Sequence, residues 1–85
     1  MKVQFTEEAW QDFEWFLDRD KRIVKRIREL VKDIVRDPEE GIGKPEKLRF
    51  QLSGCWSRRI TNEHRLVYKV DKDVIIIISC RYHYD

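Results

Sequence analysis

Two periods of hydrophobic residues divide the chain into a first and a second half. After a short alternating segment, Lys2–Phe5, apolar residues recur every three or four positions up to Asp37, which is typical of amphipathic helices. From Lys47 onward the apolar residues alternate with polar ones, which is the period of a half-buried β-strand. The pattern therefore predicts a short strand, then helices, then strands, an α+β arrangement.

The first predicted helix begins at an N-cap, Thr6, and runs to about Asp18. Glu7 and Glu8 fall in its first turn, where negative charge interacts favourably with the helix dipole. Trp15 lies off the apolar face, and two interpretations are open: a flank packed by its neighbours, or a surface anchor for a partner. The apolar face itself is predicted to consist of Trp10, Phe13 and Leu17.

The second predicted helix has the strongest periodicity in the chain. Asp20 is its expected N-cap, and Asp37–Pro38 ends it because a proline disfavours the helical conformation in the residue before it. The short link between the helices predicts an antiparallel hairpin. The Lys and Arg residues outside the apolar stripe fit either a solvated helix face or a face that follows phosphates. The stripe consists of Ile23, Ile27, Leu30, Val31, Ile34 and Val35.

Four strands joined by tight turns are predicted in the second half. Turn-forming residues at 53–54, 62–64 and 71–73 separate them, which is typical of an antiparallel meander. The two-helix hairpin should pack on one face of a mainly antiparallel sheet of four to five strands, leaving Arg and Lys side chains on the other face. The predicted strands are 47–52, 56–60, 66–70 and 74–78.

Length and composition favour one small cytoplasmic domain, residues 1–85. With 85 residues and 41% hydrophobic residues the chain can form one core. It contains no run of 18 apolar residues and no signal-peptide pattern, so no membrane association is expected. Cys55 and Cys80 are expected to be reduced thiols, since their spacing matches no metal site. We therefore expect neither a metal nor a cofactor.

Positive charge is concentrated in the middle of the chain. Residues 41–69 contain seven Lys or Arg but only two Asp or Glu, whereas the formal net charge of the whole chain is +2. Such asymmetry is consistent with a polyanionic partner. A solvated sheet face would produce the same pattern, so charge alone leaves both interpretations open.

One set of polar residues could support chemistry on RNA. Adjacent strands of the meander could bring Glu46, Arg59, Arg65 and His83 onto one concave face. A carboxylate can remove the proton of a 2′-hydroxyl, an imidazolium can protonate the leaving 5′-oxygen, and arginines can stabilise the charge on phosphorus. Each residue taken alone also fits an ordinary surface position, and His64, in a turn, is expected to be structural.

Several motifs together resemble the YoeB (Txe) toxins of the RelE superfamily, from bacterial type II toxin–antitoxin systems. The resemblance covers the whole chain without an evident gap. The residues that carry it are Lys44-Pro45-Glu46-x-Leu48, Leu52-Ser53-Gly54-x-Trp56-Ser57-Arg58-Arg59-Ile60, Glu63-His64-Arg65-Leu66-Val67-Tyr68 and Cys80-Arg81-Tyr82-His83-Tyr84.

This resemblance implies a fold like that of microbial ribonucleases and a ribosome-dependent mRNA endonuclease. Such toxins cleave mRNA in the ribosomal A site without a metal and inhibit translation. By resemblance, Glu46 is the general base, His83 the general acid and Arg65 the phosphate stabiliser. The supporting residues implied are Lys44, Arg59 and Tyr84 for RNA or phosphate binding and Glu63 for orienting Arg65.

The resemblance also implies partners. A YefM-like antitoxin would cover the basic site face with an acidic, disordered segment, and the complex would bind operator DNA through the antitoxin. The substrate would be mRNA on the 70S ribosome, and a homodimer is compatible with the family. The alternative is a module that binds the ribosome or RNA and blocks translation without cutting. A DNA-binding repressor is a weaker idea, because no recognition-helix signature is present.

Overall fold

The fold is an α+β arrangement of two helices on a five-stranded sheet, as predicted. The computed structural model describes residues 1–82, and the remaining residues, His83, Tyr84 and Asp85, lie outside the described part. Among residues 1–82 no helix is long and apolar enough to cross a membrane. The elements are β1 (Lys2–Phe5), α1 (Glu7–Leu17), α2 (Lys21–Arg36), β2 (Glu46–Lys47), a 3₁₀ turn (Phe50–Leu52), β3 (Trp56–Arg59), β4 (Arg65–Asp71) and β5 (Val74–Ser79).

Both predicted N-caps are confirmed. The Thr6 hydroxyl accepts a hydrogen bond from the Ala9 N–H at 3.1 Å and donates one to the Ile78 carbonyl at 2.9 Å. The Asp20 carboxylate accepts from the N–H groups of Arg22 and Ile23. These bonds satisfy N–H groups that the first turn of a helix leaves unpaired, and Thr6 also ties α1 to β5.

The sheet has the strand order β1-β5-β4-β3-β2. Strands β2 to β5 form the predicted antiparallel meander, and β1 pairs in parallel with β5. The two helices follow β1 and cover one face of the sheet, which leaves the other face available for a site.

The buried side of α1 differs from the prediction. Ala9 and Phe16 are fully buried, whereas Trp10 and Leu17 are 48% and 45% exposed. The Cys80 thiol, which directly follows β5, lies 3.5 Å from the Ala9 carbonyl. The prediction used only large apolar residues and so did not include Ala9. The buried face of α1 is therefore rotated relative to the predicted face. The α2 stripe is confirmed: Ile27, Leu30 and Ile34 are buried and Ile23, Val31 and Val35 pack against them.

The predicted strand 47–52 is also wrong in length, because β2 ends at Lys47. Phe50 has a left-handed backbone (φ 58°) and is 85% exposed, and a 3₁₀ turn replaces the second half of the predicted strand. A left-handed residue cannot continue a strand, although the alternation of apolar residues suggested one. The Leu48 N–H still donates to the Cys55 carbonyl at 2.9 Å.

The two cysteines are free and buried, as expected for reduced thiols. Trp15 is half-buried against the core, and its indole lies between two guanidinium groups, those of Arg19 at 4.5 Å and Arg81 at 3.7 Å from the ring centroid. The structure therefore favours the packed-flank interpretation of Trp15.

Candidate active site

The strand register places three of the predicted site residues on one face of the sheet. Glu46 pairs with Ser57, and Arg59 pairs with Arg65. Residues that are opposite each other, or two apart on a strand, share a face. Glu46, Arg59 and Arg65 therefore point to the same side, away from the helices.

The floor between these side chains is closed. Ser57 is 7% exposed and its β4 partner Val67 is 1% exposed, while Glu46 and Arg59 are exposed. A buried floor with charged groups above it is the arrangement of a shallow site rather than of a flat solvated face.

Arg58 and Arg59 are adjacent on β3, so they point to opposite faces of the sheet. Arg59 lies on the open face, and Arg58 points to the helix side, where it is fully buried. The Arg58 Nη1 donates to the Asp33 carboxylate at 2.5 Å, and the Nε donates to the Tyr68 hydroxyl at 3.1 Å. A buried guanidinium needs such partners, since an unpaired charge in the interior is costly.

Arg58 also holds the loop that leads from α2 to β2. Its guanidinium donates to the carbonyls of Asp37, Glu40 and Ile42, and the Tyr68 hydroxyl donates to the Pro38 carbonyl at 2.6 Å. The loop is closed at its far end by the Arg59 N–H, which donates to the Gly43 carbonyl at 2.7 Å. The loop leads directly into β2, so this hydrogen-bond network fixes the position of the strand that carries the Glu46 carboxylate.

Gly43 is required where this loop meets the core. Its φ is 79°, and a Cβ there would lie 2.8 Å from the Leu30 side chain and 3.2 Å from the Arg59 carbonyl. A residue with a side chain would thus meet both a left-handed backbone and a crowded space. Lys44 follows, exposed and also left-handed (φ 51°), two residues before Glu46.

Arg65 is half-buried, and one end of its guanidinium is anchored. The Nη1 donates to the carbonyls of Thr61, Asn62 and His64 at 2.7, 3.3 and 3.2 Å. Within residues 1–82 the structure records no hydrogen bond from its Nε or Nη2, which leaves an N–H pair of the geometry that binds a phosphate bidentately. In the same described range, the Glu46 carboxylate and the Arg59 guanidinium also have no recorded hydrogen bond.

Glu63 does not contact Arg65 in the described part of the chain. Its carboxylate lies 3.5 Å from the His64 Nε2 instead. His64 is 7% exposed, its ring packs edge-on against Phe16, and its Nδ1 accepts the Tyr82 N–H at 2.8 Å. The prediction that His64 is structural is consistent with this burial.

The last described residues run beside Arg65. The Cys80 N–H donates to the Asp12 carboxylate at 3.0 Å, and the Arg65 N–H donates to the Tyr82 carbonyl at 2.8 Å. Burial raises the pKa of the Asp12 carboxyl and raises that of the Cys80 thiol to about 12. The predicted general acid His83 and the predicted contact Tyr84 lie outside the described residues.

Sequence reasoning missed the Arg58 network and the role of His64 as a hydrogen-bond acceptor. Alternation places adjacent residues of a strand on opposite faces, but it does not identify the partner of Arg58, because Asp33 is 25 positions away. No periodic signal connects residues that distant.

Residues 1–82 do not contain what a metal site requires, and they form a groove apart from the Glu46 face. No group of three or more His, Cys, Asp or Glu residues in that range could hold a metal ion. A groove of about 520 Å³ lies on the helix side, and aromatic residues and the basic face of α2 line it. Because its walls come from β1, α1 and α2, it is separate from the Glu46 face. Its lining includes Phe5, Trp10, Phe13, Lys25, Arg28 and Lys32.

Comparison with known proteins gives a consistent result. A family model described as the YoeB-like toxin of a bacterial type II toxin–antitoxin system matches residues 5–84. The Escherichia coli K12 protein named Toxin YoeB is 58% identical over 84 residues, covering 99% of this chain and 100% of that protein.

Solved structures agree with the sequence match. The structure described as a YoeB/ParE toxin from Agrobacterium tumefaciens has a TM-score of 0.96 at 43% identity, covering 99% of this chain and 100% of that one. Two structures from Staphylococcus aureus also match: one is described as a YoeB–YefM complex (TM-score 0.91, 50% identity) and one as a YoeB dimer (TM-score 0.92, 52% identity). Each covers 99% of this chain and 98% of that one. The chain thus belongs to the family of YoeB-like toxins of bacterial type II toxin–antitoxin systems.

Proposed function

We propose that this protein is a ribosome-dependent mRNA endoribonuclease that cleaves mRNA in the ribosomal A site and so inhibits translation in the cytoplasm. The observation that carries the proposal is the shared face of Glu46, Arg59 and Arg65 in a chain of the YoeB-like family. A carboxylate beside two cations is suited to attack on a phosphodiester, because it combines a base with charge stabilisation.

In the proposed reaction, the Glu46 carboxylate takes the proton of a ribose 2′-hydroxyl. The oxygen attacks the adjacent phosphorus, the bond to the 5′-oxygen breaks, and a 2′,3′-cyclic phosphate forms. His83 gives its proton to the leaving 5′-oxygen. The Nε and Nη2 of Arg65, with Arg59, stabilise the negative charge that builds on the phosphoryl oxygens. No step requires a metal or a cofactor.

Three further residues complete the proposed site. Lys44 precedes Glu46 on an exposed part of the loop and is suited to a phosphate contact. Tyr84 is proposed to contact the RNA, as the family resemblance implies. A role of Glu63 in orienting Arg65 would require it to leave His64, which its carboxylate approaches here.

The proposed partners follow from the relatives. Since the Staphylococcus aureus relative is known with YefM, we expect a YefM-like antitoxin with an acidic segment to neutralise this chain. The complex would then bind operator DNA through the antitoxin. A homodimer is proposed on a similar basis, because a Staphylococcus aureus relative is described as a YoeB dimer.

The test is primer extension on mRNA in a reconstituted translation system, with and without ribosomes. Glu46→Gln should lower cleavage by about 10²–10⁴-fold, the usual effect of removing a general base. Glu14→Gln, a change at an exposed position of α1, is the matched control and should cleave like wild type. Cleavage of free mRNA, or equal cleavage by both variants, would contradict the proposal. Blocked translation with intact mRNA would instead support a binding module that does not cut.

A further inference from the structure

His64 makes a contact that burial alone does not explain. Its Nδ1 lies 2.8 Å from the backbone nitrogen of Tyr82, and the two rings lie 5.6 Å apart. A backbone N–H can only donate, so the Nδ1 must accept and cannot carry a proton. The imidazole is therefore the neutral tautomer with its proton on Nε2, which faces the Glu63 carboxylate at 3.5 Å.

The residue that His64 holds is conformationally strained. Tyr82 has a φ of 60°, the left-handed region that a bulky residue rarely adopts. Both of its backbone polar groups are paired with the same dipeptide, the N–H with the His64 ring and the carbonyl with the Arg65 N–H. Strain of this kind persists only where the surrounding contacts determine the conformation.

The Tyr82 turn is adjacent in sequence to a residue of the proposed site. It follows β5 and comes directly before His83, the proposed general acid. It is also tied to Arg65, the proposed phosphate stabiliser. The direction of the chain at Tyr82 is thus coupled to two residues of the proposed site.

We propose that His64 is a positioning residue for RNA cleavage: its neutral imidazole holds Tyr82 in the left-handed turn and so sets the direction in which the chain continues to His83. This inference rests on the proposed function, because the direction of the chain matters for catalysis only if His83 acts in the reaction. His64 itself does not touch the RNA or the reacting atoms.

Protonation of His64 would break this contact. A doubly protonated imidazole has a donor at Nδ1, which would face the Tyr82 donor. The charged groups around the ring are the Glu63 carboxylate at Nε2, the Arg65 guanidinium on the His64 carbonyl, and Asp12 from α1. The contact with Tyr82 therefore requires an Nδ1 that accepts a hydrogen bond.

Two substitutions distinguish the hydrogen-bond acceptor at Nδ1 from the imidazole ring as a whole. In His64→Asn the amide oxygen can occupy the position of Nδ1, whereas in His64→Gln the amide lies one bond further out, nearer to Nε2. We expect His64→Gln to lower the cleavage rate at saturating protein by about 10²-fold, as a misplacement of about 1 Å can do, with little change in the half-saturating concentration. His64→Asn should retain most of the rate, because its amide oxygen can still accept the Tyr82 N–H. Asn62→Ala, an exposed change in the same turn, is the matched control.

Measurements that do not depend on cleavage test the same contact. Nitrogen NMR of the wild-type imidazole should show an unprotonated Nδ1 at neutral pH, and the Tyr82 amide should exchange slowly in wild type and His64→Asn but faster in His64→Gln. A protonated Nδ1, or a Tyr82 amide equally protected in His64→Gln, would overturn the proposal. So would full cleavage by His64→Gln while Glu46→Gln is inactive. If Glu46→Gln cleaves normally, the proposed function fails, and the NMR result still decides whether His64 fixes Tyr82.

Discussion

Replacing Arg58 by methionine should destabilise the protein strongly. The change keeps an aliphatic side chain of similar length but removes five hydrogen bonds that the guanidinium donates, one of them to the Asp33 carboxylate. Because the five bonds are donated by one charged group and their energies do not add independently, we expect a total loss of about 5 kcal/mol. Breaking one side of a buried ion pair costs about 3–5 kcal/mol in other proteins, which agrees.

This loss is large for a domain of this size. A chain of 85 residues has a free energy of unfolding of about 4–13 kcal/mol, so a loss of about 5 kcal/mol removes between about two-fifths and all of that stability. Urea denaturation followed by tryptophan fluorescence measures the change. Arg59→Met is the matched control, because the neighbouring arginine is exposed, and its effect should stay within about 0.5 kcal/mol.

A double-mutant cycle identifies the origin of the loss. Asp33→Asn, Arg58→Met and the double variant should give a coupling energy of about 1–3 kcal/mol, since the two side chains are in direct contact. A loss below about 1 kcal/mol for Arg58→Met, or equal losses for Arg58→Met and Arg59→Met, would refute the assignment of Arg58 to the network that holds the loop.

Four further predictions concern stability and reactivity. Hydrogen bonds from Arg36, the Ile42 N–H and Arg58 lower the pKa of Asp33 from 3.8 to about 2, so its stabilisation is complete above about pH 4 and is lost as the pH falls through about 2. The stability difference between wild type and Asp33→Asn should therefore shrink over that interval, and a constant difference would contradict this. The Cys80 thiol, with its pKa raised to about 12 by burial, should not react with Ellman's reagent until the protein is unfolded, as a Cys55→Ser background can show. Phe50→Asn should raise the free energy of unfolding by up to about 1 kcal/mol, because asparagine tolerates the left-handed backbone better than phenylalanine. A lower free energy of unfolding for Phe50→Asn, measured by urea titration, would argue against backbone strain at Phe50. Thr6→Ala should cost about 0.5–2 kcal/mol through loss of the α1 cap, measured by the same titration.

The helices and the sheet class could be predicted because local signals agree with the fold. Thr6 and Asp20 are capping residues directly before apolar periodicity, and both cap the expected helices. The α2 stripe is buried because a strongly amphipathic helix has only one face that can pack on a sheet. The turn residues between the strands set the meander, and the pairing of Arg59 with Arg65 follows from it.

The remaining differences come from contacts that local patterns do not contain. The α1 face is centred on Ala9 because the helix lies close to Cys80, a residue from the other end of the chain. The alternating pattern around Phe50 looks like a strand, but the backbone there is left-handed and turns the chain away from β2. In both cases large apolar residues that the pattern placed in the core, Leu17 and Phe50, are exposed, because distant contacts and backbone conformation decide the packing.

The alternation of β3 links the stability of the fold to its proposed activity. Arg58 and Arg59 are adjacent, so one faces the core and pairs with Asp33, and the other faces the open side next to Arg65. A slip of one residue in the register of β3 would exchange the two and place an unpaired guanidinium in the core. The hydrogen bonds of Arg58 therefore oppose that slip, and the same bonds hold the loop that enters Glu46. Arg58, which is buried and faces away from the proposed RNA site, thus keeps Arg59 and Glu46 on the same face.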